Sequence, residues 1–234
     1  MKQFFLDIFP HQRYTEQKFS YNFTEVNDMK VVLINGSPHK NGCTARALQE
    51  IADTLAKEGV ETQTLWLGLD PISGCRGCGA CGKIGKCIVD DVLNEFAPII
   101  TAADGLVFGS PVHYAAPSGA ITAFMDRLFY AYSKKLAGKP ACAIFSCRRG
   151  GASASFDVLN KNFTISSMPI VSGQYWNMVH GQTPEQVEED KEGLQIMRSL
   201  GKNMAWLIKC IEAGKKSGIE FPEKEAPIRT NFIR

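Results

Sequence analysis

The sequence predicts an α/β fold: a doubly wound sheet of five parallel strands, order 2-1-3-4-5, with helices on both faces. Three observations predict it. Short apolar runs rich in β-branched residues alternate with segments whose apolar residues recur at helical spacing, and this happens five times. Such alternation needs right-handed crossovers, which the helical segments supply. The loops richest in Gly, Pro, Ser and Cys all follow strand ends. In a sheet of this kind those ends share one edge, beside the switch point between strands 1 and 3, so the loops are expected to form one site.

The elements follow in order. Residues 30–35 are a β-branched run that stops at Gly36, a short buried strand. Residues 45–55 place Leu48, Ile51, Ala52 and Leu55 on one helix face. Residues 60–67 alternate as a second strand, and a cysteine loop over 74–90 is inserted after it. Asp90 or Asp91 can cap a helix carrying Val92, Leu93, Phe96, Ile99 and Ile100. Residues 104–109 are the third strand, and its C-terminal end opens into a loop over 110–117. Ser118 caps a helix with Ile121, Phe124, Met125, Leu128 and Phe129 inward. Residues 140–146 are the fourth strand, followed by a loop over 147–151. A helix through Val158 and Leu159 leads to a short fifth strand over 168–172. Thr183-Pro184-Glu185-Gln186 is a capping box with proline at the first helical position. It is expected to start one long helix, because Val187, Leu194, Met197, Leu200 and Met204 keep to one face.

Domain organisation follows from the same pass. Residues 29–216 form one domain of ordinary size. Residues 217–234 form a tail containing proline and charge. Residues 1–28 carry seven aromatic rings without helical or strand period, so they read as an arm lying on its own domain or on a neighbouring subunit. A homodimer or homotetramer is expected, with that arm and Tyr175-Trp176 at contacts. A net charge of +2 gives no sign of a nucleic-acid partner. No apolar run reaches the roughly 18 residues that a membrane span needs. With no signal-peptide pattern either, a cytoplasmic location is expected. Eight cysteines in such a chain do not read as a disulfide framework.

The loop over residues 36–44 lies between a strand and a helix N-terminus. That geometry aims free backbone N–H groups at one point and suits a phosphate, although a plain βα turn with a Thr or Asn cap gives the same pattern. Five residues separate Gly36 from Gly42, and Cys43 stands where a P-loop lysine would be, so NTP hydrolysis is not indicated. The dinucleotide pattern G-x-G-x-x-G is absent as well. What remains is a hydroxyl- and amide-rich loop suited to one terminal phosphate.

Gly36-Ser37-Pro38-His39-Lys40-Asn41-Gly42-Cys43-Thr44 resembles the first loop of flavodoxin-like FMN proteins, in particular the NAD(P)H-dependent FMN reductase and iron-sulfur flavoprotein group. The resemblance implies FMN, with its phosphate on Ser37, His39, Asn41, Cys43 and Thr44. It implies that Pro111, Val112, His113, Tyr114 and Ala115 line the flavin ring. His113 departs from the aromatic residue common there, and it can serve the flavin or be an ordinary loop histidine. Ser146, Arg148, Arg149, Gly150 and Gly151 resemble the third flavin loop, where an arginine would steady negative charge on the ring. The flavin carries the chemistry, so no side chain is assigned as catalytic. Asp126-Arg127 is read as a structural ion pair or cap.

Cys75, Cys78, Cys81 and Cys87 are spaced C-x2-C-x2-C-x5-C and interleaved with glycines. Zinc sites more often use two separated C-x2-C pairs, and this compact run better suits the corners of a [4Fe–4S] cube. It resembles the run of the iron-sulfur flavoproteins. The expected activity is electron transfer between a reduced donor, NAD(P)H or a ferredoxin-like protein, and a small acceptor or redox partner. Two other readings remain open here: a cluster-free FMN or quinone reductase with free thiols, and a zinc-stapled interaction module.

Overall fold

The computed structural model describes residues 29–228, 230 and 232 of the 234-residue chain. The aromatic arm predicted over residues 1–28 lies outside the described residues. Strand β1 (Lys30–Asn35) leads into α1 (Cys43–Lys57), then β2 (Glu61–Trp66), α2 (Cys81–Ile84) and α3 (Val92–Ala102). Strand β3 (Gly105–His113) turns into β4 (Ala116–Pro117), followed by α4 (Gly119–Leu136), β5 (Ala141–Cys147) and α5 (Ala152–Ile165). Strand β6 (Met178–His180), α6 (Pro184–Glu189) and α7 (Lys191–Lys216) complete the order.

The five parallel strands are ordered β2-β1-β3-β5-β6, the doubly wound arrangement that the sequence predicts. Strand alternation builds two cores. Val32, Ile34, Leu106, Phe108, Ala143 and Phe145 face α3, α4 and α5, where Phe108, Phe129 and Phe163 form a ring cluster with centroids 5.5–5.9 Å apart. Val31, Leu33, Val107, Cys142 and Ile144 face α1, α6 and α7. With both faces covered, central strands are apolar throughout, which is why they stand out in the sequence.

Three expectations are corrected. The fifth strand is Met178–His180, whereas residues 168–172 contribute only an isolated bridge between Ala141 and Ile170. Ala141 N donates to Pro169 O and Val171 N to Ala141 O, but Pro169 has no N–H with which to extend the ladder. The third strand runs on to His113 and folds back through Tyr114 and Ala115, both at positive φ, to pair antiparallel with β4. The capping box starts a helix of only six residues. At Asp190 the backbone leaves helical geometry, and its carboxylate accepts from Gly193 N, capping α7, and from His180 N. Val187 and Leu194 keep one face only because two helices meet there at that residue.

Candidate functional site

The site begins with Asn35, the buried last residue of β1. Its side-chain oxygen accepts from Ser37 N at 3.0 Å, and its amide donates to Lys40 O at 3.1 Å, folding the following loop back on itself. Gly36 N donates to Gly109 O, and Ser118 Oγ donates to Gly36 O at 2.7 Å. Ser118 N donates in turn to Ser110 Oγ. Asn35, Ser110 and Ser118 thus sew the first loop to β3 and to the start of α4. Sequence patterning singled out only Ser118, and only as a helix cap, which it is, accepting from Ile121 N. Trp66, at the end of β2, donates Nε1–H to Ser37 O at 2.8 Å and lies under Lys40 Nζ.

Ser37, His39, Asn41, Cys43, Thr44, Pro111, Val112, His113, Ser146 and Arg148 line one open pocket of about 800 Å³. Tyr114 and Ala115 stand exposed at the hairpin tip, and neither they nor Arg149, Gly150 and Gly151 belong to its walls. Gly151 instead shapes the rim. Its φ is 94°, and a Cβ there would lie 2.6 Å from Ala115 Cα, so only glycine lets the loop after β5 touch the hairpin. Cys147, within the loop expected against the ring, lines the pocket too, and the pocket also takes in Trp66 and the segment Gly181-Gln182-Thr183-Pro184, which the sequence does not place there. The signal was present: the Thr183 capping box marks a second helix N-terminus leaving the same sheet edge.

The pocket fits an anionic group at the start of α1. The cap residue Gly42 supplies no side chain, no acidic residue occupies the first turn, and Gly42 N is already bound to His39 O. The helix therefore presents its positive end to the pocket without a side-chain cap. Thr44 Oγ1 and Ser146 Oγ, both on buried residues, lie 2.8 Å apart and join the first loop to β5. Burial pushes the Cys43 thiol up, with Glu185 adding to the effect against the lowering by Cys43's own backbone N–H. Burial and Asp190 push up Cys147. Cys142, wholly buried in the sheet, is pushed up to about 12.

The loops do not form one site as expected; they form two. Cys75, Cys78, Cys81 and Cys87 line a separate small cavity of about 20 Å³ with Arg127 and Tyr130. Cys75 and Cys78 are exposed, while Cys81 and Cys87 are half-buried. Gly77, Gly79 and Gly85 have φ of 64°, 68° and 73°, conformations that let this short stretch reverse direction repeatedly. Among the described residues, no three His, Cys, Asp or Glu side chains are gathered closely enough to hold a metal ion. Four thiols on one cavity are nonetheless the donor set of a [4Fe–4S] cube, where each sulfur takes a different iron. The ion pair expected at Asp126-Arg127 forms elsewhere: Arg127 is 2% exposed and pairs with Asp91, the cap of α3.

Comparison with known proteins shows the family and the fold. A family model described as NADPH-dependent FMN reductase matches residues 29–183. An iron-sulfur flavoprotein of Methanocaldococcus jannaschii is 31% identical over 194 residues, covering 79% of this chain and 100% of that protein. Among solved structures, a flavone reductase superposes with a TM-score of 0.63 at 17% identity, covering 79% of this chain and 64% of that one. A flavodoxin from the domain Archaea superposes with a TM-score of 0.53 at 17% identity, covering 77% and 99%.

Proposed function

Because the chain belongs to the NADPH-dependent FMN reductase family and is a flavin-dependent oxidoreductase, we propose that it passes electrons from a reduced donor to a one-electron partner through FMN and a [4Fe–4S] cluster. The donor would be NAD(P)H or a ferredoxin-like protein. The observation that carries the reading is that the chain builds two pockets, one at the start of α1 lined by hydroxyl- and amide-bearing loops, the other lined by four thiols. Family membership sets aside the zinc-stapled interaction module.

Bound FMN would supply hydride acceptance and one-electron release. The chain's own residues bind and orient it. Backbone N–H groups at the start of α1, with Ser37 and Thr44, would hold the phosphate. Pro111, Val112 and His113 would wall one side of the ring, and Arg148 would place a cation on the pocket wall. Cys75, Cys78, Cys81 and Cys87 would hold the cluster. Around them Arg76, Lys83 and Lys86 are exposed, as are Ile84 and Ile88, and the loop over 74–89 carries no acid. A basic rim around apolar residues suits an acidic redox protein. No helix among the described residues is long and apolar enough to cross a membrane.

The cluster-free reductase with free thiols is favoured by one observation, the lack of three gathered ligands among the described residues. Iron and sulfide analysis after anaerobic reconstitution separates the two. The cluster reading expects close to four irons per chain, and fewer than about two leaves the thiol-bearing reductase as the better account. Cys78→Ser should bring the iron content down with FMN retained.

A further inference from the structure

We propose that Arg127 is a positioning residue for the cysteine loop, holding Cys87 in place so that Cys75, Cys78 and Cys81 close toward it when the cluster is loaded; the proposal rests on the cluster reading above. Arg127 projects from α4, yet every one of its five N–H donors goes to the cysteine loop or its flanks. Nε donates to Cys87 Sγ at 3.3 Å. One terminal nitrogen donates to Ser73 O at 3.4 Å and to Asp91 Oδ2 at 2.5 Å. The other donates to Val89 O at 3.0 Å and to Asp91 Oδ1 at 2.8 Å. Five donors meet five acceptors, a match that a guanidinium fork makes and an ammonium, with three donors, cannot.

These partners lie on both ends of the loop, Ser73 before it and Cys87, Val89 and Asp91 at its close. Asn94 adds a second hold on the same end, donating to Cys87 O and Val89 O. Between the two ends the chain is different in kind. Three glycines at positive φ and in open space, Gly77, Gly79 and Gly85, punctuate the run from Cys75 to Cys87, where Cys75 Sγ accepts only from the nearby Gly77 N and Cys81 begins the short helix α2. Of the four thiols, Cys87 is the one held by a side chain from another element, and the glycines leave the stretch before it free to adjust. The anchored thiol is also the one that receives an N–H from a buried cation. A donor to a ligand sulfur favours the more negative, reduced state of a cluster and raises its potential. Arg127 is not among the residues that line the flavin pocket, so this role is distinct from FMN binding.

The experiment compares wild type, Arg127→Lys and Arg127→Met as full-length, FMN-loaded protein before and after anaerobic loading with iron and sulfide. In the iron-free protein, hydrogen exchange over residues 73–91 is expected to be at least about 10-fold faster in both variants, with exchange in β1, β3 and β5 unchanged. After loading, iron per chain should fall, and whatever cluster Arg127→Lys retains should titrate at a more negative potential than wild type. If Arg127→Met does not fold, Arg127→Lys decides, since it keeps the charge and most of the volume. Unchanged loop exchange in Arg127→Lys, or an unchanged cluster potential, overturns the proposal. If wild type takes up no iron, the cluster reading fails, and the exchange of the iron-free protein still decides whether Arg127 holds the loop.

Discussion

Asp91→Ala should lower the stability of the protein by about 3–4 kcal/mol. The change strands the Arg127 guanidinium, whose side chain is 1% exposed and whose two shortest hydrogen bonds go to that carboxylate. Removing one partner of a buried pair costs roughly 3–5 kcal/mol. Asp91 keeps 23% of its side chain in solvent, which places the loss at the low end. Loss of the N-cap on α3 adds about 1 kcal/mol. For a domain of this size the melting temperature should fall by about 10 °C. Asp91→Asn separates the contributions, because asparagine caps as well as aspartate does but carries no charge. Acid should reproduce part of the effect. Burial works to raise the Asp91 carboxyl, but the Arg127 guanidinium and the Leu93 N–H outweigh it and hold it below its usual range. A carboxyl depressed in the folded state stabilises fully above its unfolded value of about 4. That stability is lost as pH falls through the folded value. Thermal melts between pH 3 and pH 7 should show this acid sensitivity in wild type and less of it in Asp91→Asn. Equal melting temperatures for wild type and Asp91→Ala at pH 7 would mean that the pair is not what holds this region.

Thr44→Val should weaken FMN binding by about 10–100-fold with little change in fold. Valine fills the space of threonine and removes only the hydroxyl. A hydrogen bond to a charged group is worth roughly 1.5–3 kcal/mol, which converts to that range of affinity. The substitution also deprives Ser146 Oγ of its partner at 2.8 Å, so the link between the first loop and β5 is lost. Flavin fluorescence titration measures the change directly, and an unchanged dissociation constant would place the phosphate away from the start of α1.

Much of the fold is legible in the sequence because buried parallel strands must be apolar on both faces. Val31 to Ile34, Leu106 to Phe108 and Ala141 to Phe145 could hardly be anything else. Strand β6 was not legible. Three residues, Met178, Val179 and His180, carry too little pattern, whereas Met168 to Ser172 looked better but makes only a bridge, which Pro169 has no N–H to extend. The break at Asp190 was hidden because seven-residue spacing between Val187 and Leu194 is indifferent to a kink between them. Ten of the flavin-pocket residues were legible as loop chemistry. Trp66 was not, because its role is a hydrogen bond to Ser37 O from a neighbouring strand. Nor was the partner of Arg127, which lies 36 residues away on another helix and is fixed by packing alone.

Every role assigned to the pocket at the start of α1 depends on FMN binding there. The most direct test is to release the flavin from the purified protein with acid and identify it by chromatography. FMN is expected, close to one per chain after reconstitution. FAD in its place, or no flavin retained after incubation with FMN, would contradict it.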